Sequence, residues 1–321
     1  MVTGKRRALP AALAPAAPRH DQLRRAFAER VTSGPTIVLP GAADGLGARL
    51  IQRAGFEACY ATGAGIANVS YGVPDIGLIT MTEMVDQVLR ITDSVTIPVV
   101  VDADTGHGGP LSVMRTTHML EAAGAAAIQI EDQATPKRCG HFETHRLIDS
   151  WEMQAKIDAA VTARSDESLL IIGRTDALGV MGIDEAIRRG HAYRAAGADV
   201  IFIEAPQSLD HLRRIGAEFA GIPLVANMVE GGRTPLLSAG ELSGLGFTII
   251  LFANFLMRVM ARAGLDSLTA LRENGDSRGL ADSMLAWSER QELVDLPLFS
   301  ALDDDFDQWR LRAAEDRRDP A

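Results

Sequence analysis

The sequence predicts an α/β protein, a (β/α)8 TIM-type barrel with additional C-terminal helices. Eight short β-rich runs follow one another from Thr36 onward, and an amphipathic helical stretch separates most neighbours. Those stretches are long enough for the crossovers that parallel strands require. The runs are near-continuously apolar, as strands covered on both faces must be. Eight such units closing on themselves use about 250 residues as one domain, which a 321-residue chain supplies.

The strands in order are TIVLP, EACYAT, IPVVVDAD, AAIQIED, LLIIGRTD, DVIFIEA, IPLVANM and FTIILFAN. Between them, segments such as TMTEMVDQVLRITDSV and GIDEAIRRGHAYRAAGAD read as helices. Gly55, Gly124 and Gly197 fall where a helix must end before the next strand, which suits a left-handed cap. Gly63-Ala64-Gly65 raises a dinucleotide-binding loop as an alternative. Asn68 stands where that pattern needs its third glycine, and no strand-terminal acid follows about 20 residues on.

Residues 1–20 read as a flexible tail interrupted by Pro10, Pro15 and Pro18, with a basic organellar targeting segment as the alternative. Residues 21–264 form the catalytic barrel. Residues 265–321 form a helical extension whose anchors Leu285, Trp287, Leu296, Leu298 and Phe299 need a surface, either the barrel or a neighbouring subunit with which the helices pack or exchange.

A net charge of −10 disfavours nucleic-acid binding, which needs clustered Lys and Arg, and points to a small-molecule partner. No run of about 18 apolar residues predicts a membrane span. With only Cys59 and Cys139, neither a disulfide framework nor a Cys-rich zinc site is expected, and a reducing cytoplasm fits.

Barrel enzymes build their sites from the carboxyl ends of the strands. Here those ends carry Tyr60 and Thr62, Asp102 and Asp104, Glu131 and Asp132, Arg174 and Asp176, Glu204, and Asn227. So many carboxylates in one mouth repel unless a cation neutralises them. Oxygen ligands without a His or Cys cluster suit a hard divalent ion, with Asp102 and Asp104 as leading ligands. The bland reading is that these two acids cap the turn TGHGG. Arg174 suits a substrate carboxylate gripped by two parallel hydrogen bonds, with Glu204 orienting the arginine or a water.

The loop QATPKRCGHFETH gathers Lys137, Arg138, Cys139 and His141, surroundings that lower a thiol pKa, and Gly140 lets the backbone approach a ligand. His141 either orients Cys139, binds a carboxylate or bonds the loop backbone. Most other histidines read as structural, with His107 a candidate by proximity.

The series YATGAG, GVPDIG, VVVDADTGHGG, IQIEDQATPKRCGH, GRTDA, FIEAP and ANMVEGGRTP resembles the isocitrate lyase and phosphoenolpyruvate mutase superfamily across roughly Leu39 to Arg262. The resemblance implies a Mg2+ site, Mn2+ being the substitute, formed by Asp102, Asp104 and Glu131 with Asp75 nearby. It implies substrate contacts from Thr62, Gly63, Ala64, Gly140, Arg174, Glu204, Asn227 and Arg258, and a homo-oligomer built as a dimer of dimers. The intact motif Lys137 to His141 resembles the lyase branch, in which the thiol protonates the enolate left by carbon–carbon cleavage. Phe142 stands where methylisocitrate lyases carry Arg, and ANMVEGGRTP is more similar to the lyases of alkyl-substituted malates. The implied reaction is a retro-aldol, Claisen-type cleavage of a 2-hydroxy di- or tricarboxylic acid to a 2-oxo acid such as pyruvate and a dicarboxylate. Its base is Tyr60 or a water held by acids such as Glu131. Oxaloacetate decarboxylation, phosphonate chemistry on the same barrel, and a non-enzymatic metal-binding scaffold are the competing readings.

Overall fold

The computed structural model describes residues 9–14, 16–137 and 146–316. It forms two compact units, one of Pro15–Ala263 and one of Met1–Ala14 with Gly264–Ala321. The first is the barrel. Its strands are β1 (Ile37–Ala42), β2 (Cys59–Ala61), β3 (Val99–Asp102), β4 (Ala127–Glu131), β5 (Leu170–Thr175), β6 (Val200–Ile203), β7 (Leu224–Asn227) and β8 (Ile249–Phe252). All eight pair in parallel and in sequence order, and β1 pairs with β8 to close the ring.

The helices are α1 (Ala16–Ser33), α2 (Gly45–Arg53), α3 (Gly63–Ser70), α4 (Met81–Ser94), α5 (Pro110–Ala122), α6 (Ser150–Ala163), α7 (Ala177–Met181), α8 (Ile183–Ala195), α9 (Leu209–Glu218), α10 (Ala239–Gly244), α11 (Phe255–Asn274), α12 (Trp287–Leu293) and α13 (Leu296–Asp316). The start of α1 differs from the boundary that composition suggested. Proline is tolerated in a first helical turn because those N–H groups have no intrahelical partner, so Pro18 does not prevent a helix beginning at Ala16. Gly55, Gly124 and Gly197 all have positive φ just beyond α2, α5 and α8, as the helix-end reading requires.

Strand periodicity divides the core into two layers. Tyr60, Val100, Ala127, Ile172, Phe202, Val225, Ile249 and Leu251 belong to the cluster inside the ring, which Phe27 and Val31 of α1 extend. Val99, Val101, Ile128, Ile130, Ile171, Ile201 and Ala226 belong to the cluster between ring and helices. Because alternate residues face opposite sides of a strand, the inward parity continues from Tyr60 to Thr62, Val100 to Asp102, Ile172 to Arg174, Phe202 to Glu204 and Val225 to Asn227. On β4 it runs Ala127, Gln129, Glu131. The same alternation that fills the barrel with apolar side chains thus delivers polar ones to its mouth.

In the other unit, Leu285, Trp287, Phe306 and Trp309 are exposed, while Leu293 and Leu302 are buried. Among the described residues no helix is long and apolar enough to cross a membrane.

Candidate active site

The mouth encloses a cavity lined by Tyr60, Thr62, Ala64, Asp75, Asp102, Glu131, Lys137, Arg174, Glu204 and Asn227, with Val229, Leu251, Ala253 and Asn254 as its remaining wall. Four carboxylates face two cations there. The structure therefore brings together Tyr60, Thr62, Asp102, Glu131, Arg174, Glu204 and Asn227 of the strand ends, and with them Asp75, which the resemblance implied to be nearby.

Asp102 and Asp104 both flank Gly63. A Cβ added there would lie 3.1 Å from Asp102 Oδ2 and 3.2 Å from Asp104 Oδ1, so a side chain at that position would crowd both carboxylates. Asp102 accepts hydrogen bonds from the Gln129 side-chain amide (3.3 Å), the Asp104 backbone N–H (3.2 Å) and, more weakly, the Gly63 N–H (3.4 Å). Gln129 in turn accepts the Tyr60 phenol proton at 2.8 Å. A continuous buried chain thus runs Tyr60, Gln129, Asp102.

Lys137 bridges Asp75 and Asp104, the second at 2.7 Å. Burial would lower its ammonium pKa, but the carboxylates of Asp104, Glu131, Asp102 and Asp75 outweigh that and raise it, so it stays charged. Burial likewise pushes Asp104 up to about 6, opposed chiefly by Lys137. Glu131 is pushed well above the ordinary carboxylate range by burial, with Arg174 opposing. Its Oε1 is buried without a hydrogen-bond partner.

Arg174 stands on β5, beside Glu131 of β4. Its Nε and Nη2 donate to Asp176 at 3.1 and 2.9 Å, with Glu131 at 3.4 Å, Glu204 at 3.7 Å and the Phe202 ring centroid at 5.1 Å from the guanidinium carbon. Asn227 donates to Glu204 at 3.3 Å and keeps a buried carbonyl oxygen without a partner.

These residues fit a hard divalent cation. Two carboxylates flank Gly63, a third carries an unpartnered oxygen, and these donors are all oxygen. Among the described residues no three acids, histidines or cysteines are grouped to hold an ion by themselves.

Arg258 is not brought to the cavity. Exposed on α11, its guanidinium donates to the Glu230 carbonyl at 2.9 Å and pairs with the Glu230 carboxylate at 3.2 Å. Cys139, Gly140 and His141, with Arg138 and Phe142, lie outside the described residues. Gln129 and Asn254 were not singled out from sequence. Gln129 shares the inward parity of Glu131, the one signal that marks it; Asn254 lies beyond the end of β8 and carries no such signal.

A closed parallel barrel with an acidic, oxygen-lined mouth defines a class of barrel enzymes built around hard cations and carboxylates. Residues 27–272 match the family model described as phosphoenolpyruvate phosphomutase. The chain is 44% identical over 268 residues to the 2,3-dimethylmalate lyase of Eubacterium barkeri, covering 84% of this chain and 92% of that one. It is 42% identical over 266 residues to the 2-methylisocitrate lyase of Aeropyrum pernix, covering 83% and 85%. A phosphonopyruvate hydrolase solved in complex with oxalate and Mg++ superposes with a TM-score of 0.80 at 30% identity, covering 89% and 98%. The chain belongs to the phosphoenolpyruvate mutase/isocitrate lyase superfamily.

Proposed function

We propose that this protein is a divalent-metal-dependent carbon–carbon lyase that cleaves a 2-hydroxy di- or tricarboxylic acid into a 2-oxo acid and a second carboxylate, a monocarboxylate from an alkylmalate and a dicarboxylate from a substrate of the 2-methylisocitrate type. The observation that carries the reading is the placing of Asp102 and Asp104 beside Gly63, in the same mouth as Arg174. The lyase names of two relatives more than 40% identical support it.

Asp102 and Asp104 would hold Mg2+ or Mn2+, with Glu131 and Asp75 close by. When bound, such an ion supplies Lewis-acid polarisation of the hydroxyl and carboxylate and stabilises the charge that develops on the enolate. Arg174 binds a substrate carboxylate, and Thr62, Gly63, Ala64, Glu204 and Asn227 bound the space around it. Loss of the C2 hydroxyl proton turns that carbon into the new carbonyl. The electron pair of the breaking C–C bond moves to the neighbouring carbon, which becomes the enolate carbon of the departing mono- or dicarboxylate. Cys139, by its place in the superfamily's motif, delivers the proton that this carbon takes, with Lys137, Gly140 and His141 in the same motif. Tyr60 is poorly suited as the base. Burial, then Asp102, raises its phenol pKa well above the ordinary value, and its proton is committed to Gln129. A water held by acids such as Glu131 suits that role better.

The exposed Trp287, Phe306 and Trp309 support self-association through the C-terminal helices into a homo-oligomer, a dimer of dimers in our reading. We also assign residues 21–264 and 265–321 to catalytic barrel and helical extension, in a cytoplasmic protein.

The test is pyruvate release, coupled to lactate dehydrogenase and NADH, from 2,3-dimethylmalate, other malates methylated at C2 and 2-methylisocitrate, with and without Mg2+. Magnesium-dependent pyruvate from one of them is the expected result. No pyruvate from folded, metal-loaded protein across the panel overturns the reading in favour of oxaloacetate decarboxylation or phosphonate chemistry.

A further inference from the structure

A guanidinium offers two edges that can hold a carboxylate with paired hydrogen bonds. One edge is formed by Nε with one terminal nitrogen, the other by the two terminal nitrogens. In Arg174 the first edge is occupied: Nε and Nη2 donate to the two oxygens of Asp176 at 3.1 and 2.9 Å. A grip on a substrate carboxylate by two parallel hydrogen bonds then falls to the other edge. Only the edge that includes Nη1 remains for a ligand in the cavity that Arg174 lines.

Asp176 is itself tightly held. Its side chain is fully buried, and its backbone N–H donates to Asp132 Oδ1 at 3.0 Å. Asp132 is the hub of a buried network. Its Oδ2 accepts the Thr175 hydroxyl at 2.7 Å, the Tyr193 phenol at 2.6 Å and an Arg189 guanidinium N–H at 2.9 Å. Helix α8, which carries Arg189 and Tyr193, thus fixes the end of β5 from behind, and the end of β5 fixes the arginine in front. The Phe202 ring, 5.1 Å from the guanidinium carbon, lies under it.

We infer that Asp176 is a positioning residue that clamps the inner edge of Arg174, so that only the outer, Nη1-bearing edge meets the substrate carboxylate. This deepens the lyase reading and rests on it for the identity of the ligand. The geometry itself depends only on the side chains. A long, flexible arginine among Glu131, Glu204 and Asp176 has several carboxylates to choose from, and a clamp removes that choice before substrate arrives. Orientation prepared in advance is worth much in such a site, since a misplacement of about 1 Å costs on the order of 100-fold.

The test separates positioning from plain electrostatics by sign. If Asp176 merely diluted the positive charge of Arg174, Asp176→Asn would tighten binding of an anion. If it positions the guanidinium, the same substitution weakens binding, because one amide oxygen cannot replace two and the amide N–H2 confronts another donor. The probe is oxalate with saturating Mg2+, titrated by calorimetry against the full-length wild type, Asp176→Asn, Arg174→Lys and the double variant. Mg2+ titration without oxalate serves as the internal readout. Expected are roughly 10- to 100-fold weaker oxalate binding in each single variant, a double variant no worse than Arg174→Lys, and unchanged Mg2+ affinity. On any substrate the protein turns over, KM rises more than kcat falls. Tighter or equal oxalate binding by Asp176→Asn, multiplicative losses in the double variant, or a wild type that does not bind oxalate would each overturn the inference. If Asp176→Asn does not fold, Asp176→Glu keeps the charge but displaces the clamp by one methylene. It must also weaken oxalate, and wild-type affinity in it would refute positioning. Binding is read without turnover, so a protein inactive on the lyase panel leaves this test intact, and loss of the Asp176–Arg174 coupling leaves the lyase reading intact.

Discussion

Replacing Tyr60 by Phe removes one hydroxyl from a ring that is 2% exposed and otherwise leaves the interior cluster filled. That hydroxyl donates to Gln129 at 2.8 Å, and Gln129 passes the constraint to Asp102 at 3.3 Å. Losing the donor leaves the Gln129 carbonyl buried without a partner, a cost of about 1–3 kcal/mol. If roughly half of that reaches the orientation of Asp102, activity falls roughly two- to tenfold, since about 1.4 kcal/mol is one decade of rate. A general base is worth more, typically about 10²–10⁴-fold, and its removal also erases the limb of the pH profile on which rate rises with deprotonation. The assay is kcat/KM against pH for wild type, Tyr60→Phe and Gln129→Leu. Both variants act through Asp102, so both should lose about the same factor and retain the wild-type profile. A Tyr60→Phe loss beyond about 10³-fold, with the limb gone and Gln129→Leu mild, would refute this reasoning and make Tyr60 the base.

Three further outcomes follow from particular residues. Cys139→Ser should nearly abolish pyruvate release while leaving oxalate affinity within a few-fold, because the hydroxyl is a far weaker acid than the thiol; a phosphonate enzyme would tolerate the change, and coupled turnover assays decide. Burial raises Asp104 from 3.8 to about 6, so in the metal-free protein its ionised form is disfavoured and stability declines as pH rises through that window. A divalent ion needs the ionised form, so half-saturating Mg2+ should rise as pH falls below about 6, approaching tenfold per unit, measurable by calorimetry or by Mn2+ resonance at several pH values. Gly41→Ala places a Cβ 1.9 Å from the Ala253 carbonyl oxygen, next to the β1–β8 seam that closes the barrel. The chain must part there, and thermal melts should show a loss of roughly 1–3 kcal/mol or more, with no soluble protein as the extreme case.

The barrel was legible because parallel strands covered on both faces must be written as short apolar runs, and all eight such runs, from TIVLP to FTIILFAN, became strands. The mouth was legible because charge at the end of an apolar run has few structural explanations. Asp102, Glu131, Arg174, Glu204 and Asn227 all line the cavity. What sequence could not show is how these groups divide one another's hydrogen-bonding capacity. Asp176 and Asp102 look alike at strand ends, yet one clamps an arginine and the other faces the cavity. Gln129 was passed over because a neutral amide inside a strand gives no electrostatic alarm; only its parity with Glu131 marks it. Arg258 entered only through the resemblance, and its guanidinium pairs with Glu230. The helix that begins at Ala16 crosses the tail boundary drawn at residue 20 because proline is excluded from helix interiors and not from first turns.

The distribution of partners also says where a cation is needed. Asp75 and Asp104 share Lys137, and Asp176, Glu131 and Glu204 surround Arg174. Asp102 is different. Its hydrogen bonds come from a side-chain amide and two backbone N–H groups, all neutral, and among the described residues it has no ion pair. Neutral donors orient a carboxylate without cancelling its charge, and a charge 8% exposed at the end of a closed barrel is costly to leave uncompensated. Glu131 differs in this respect, with the Arg174 guanidinium at 3.4 Å. Among the described residues every other acid at the mouth has a cation within ion-pair reach, so under the proposed function the divalent ion would meet the charge of Asp102, the acid that Tyr60 and Gln129 hold in place.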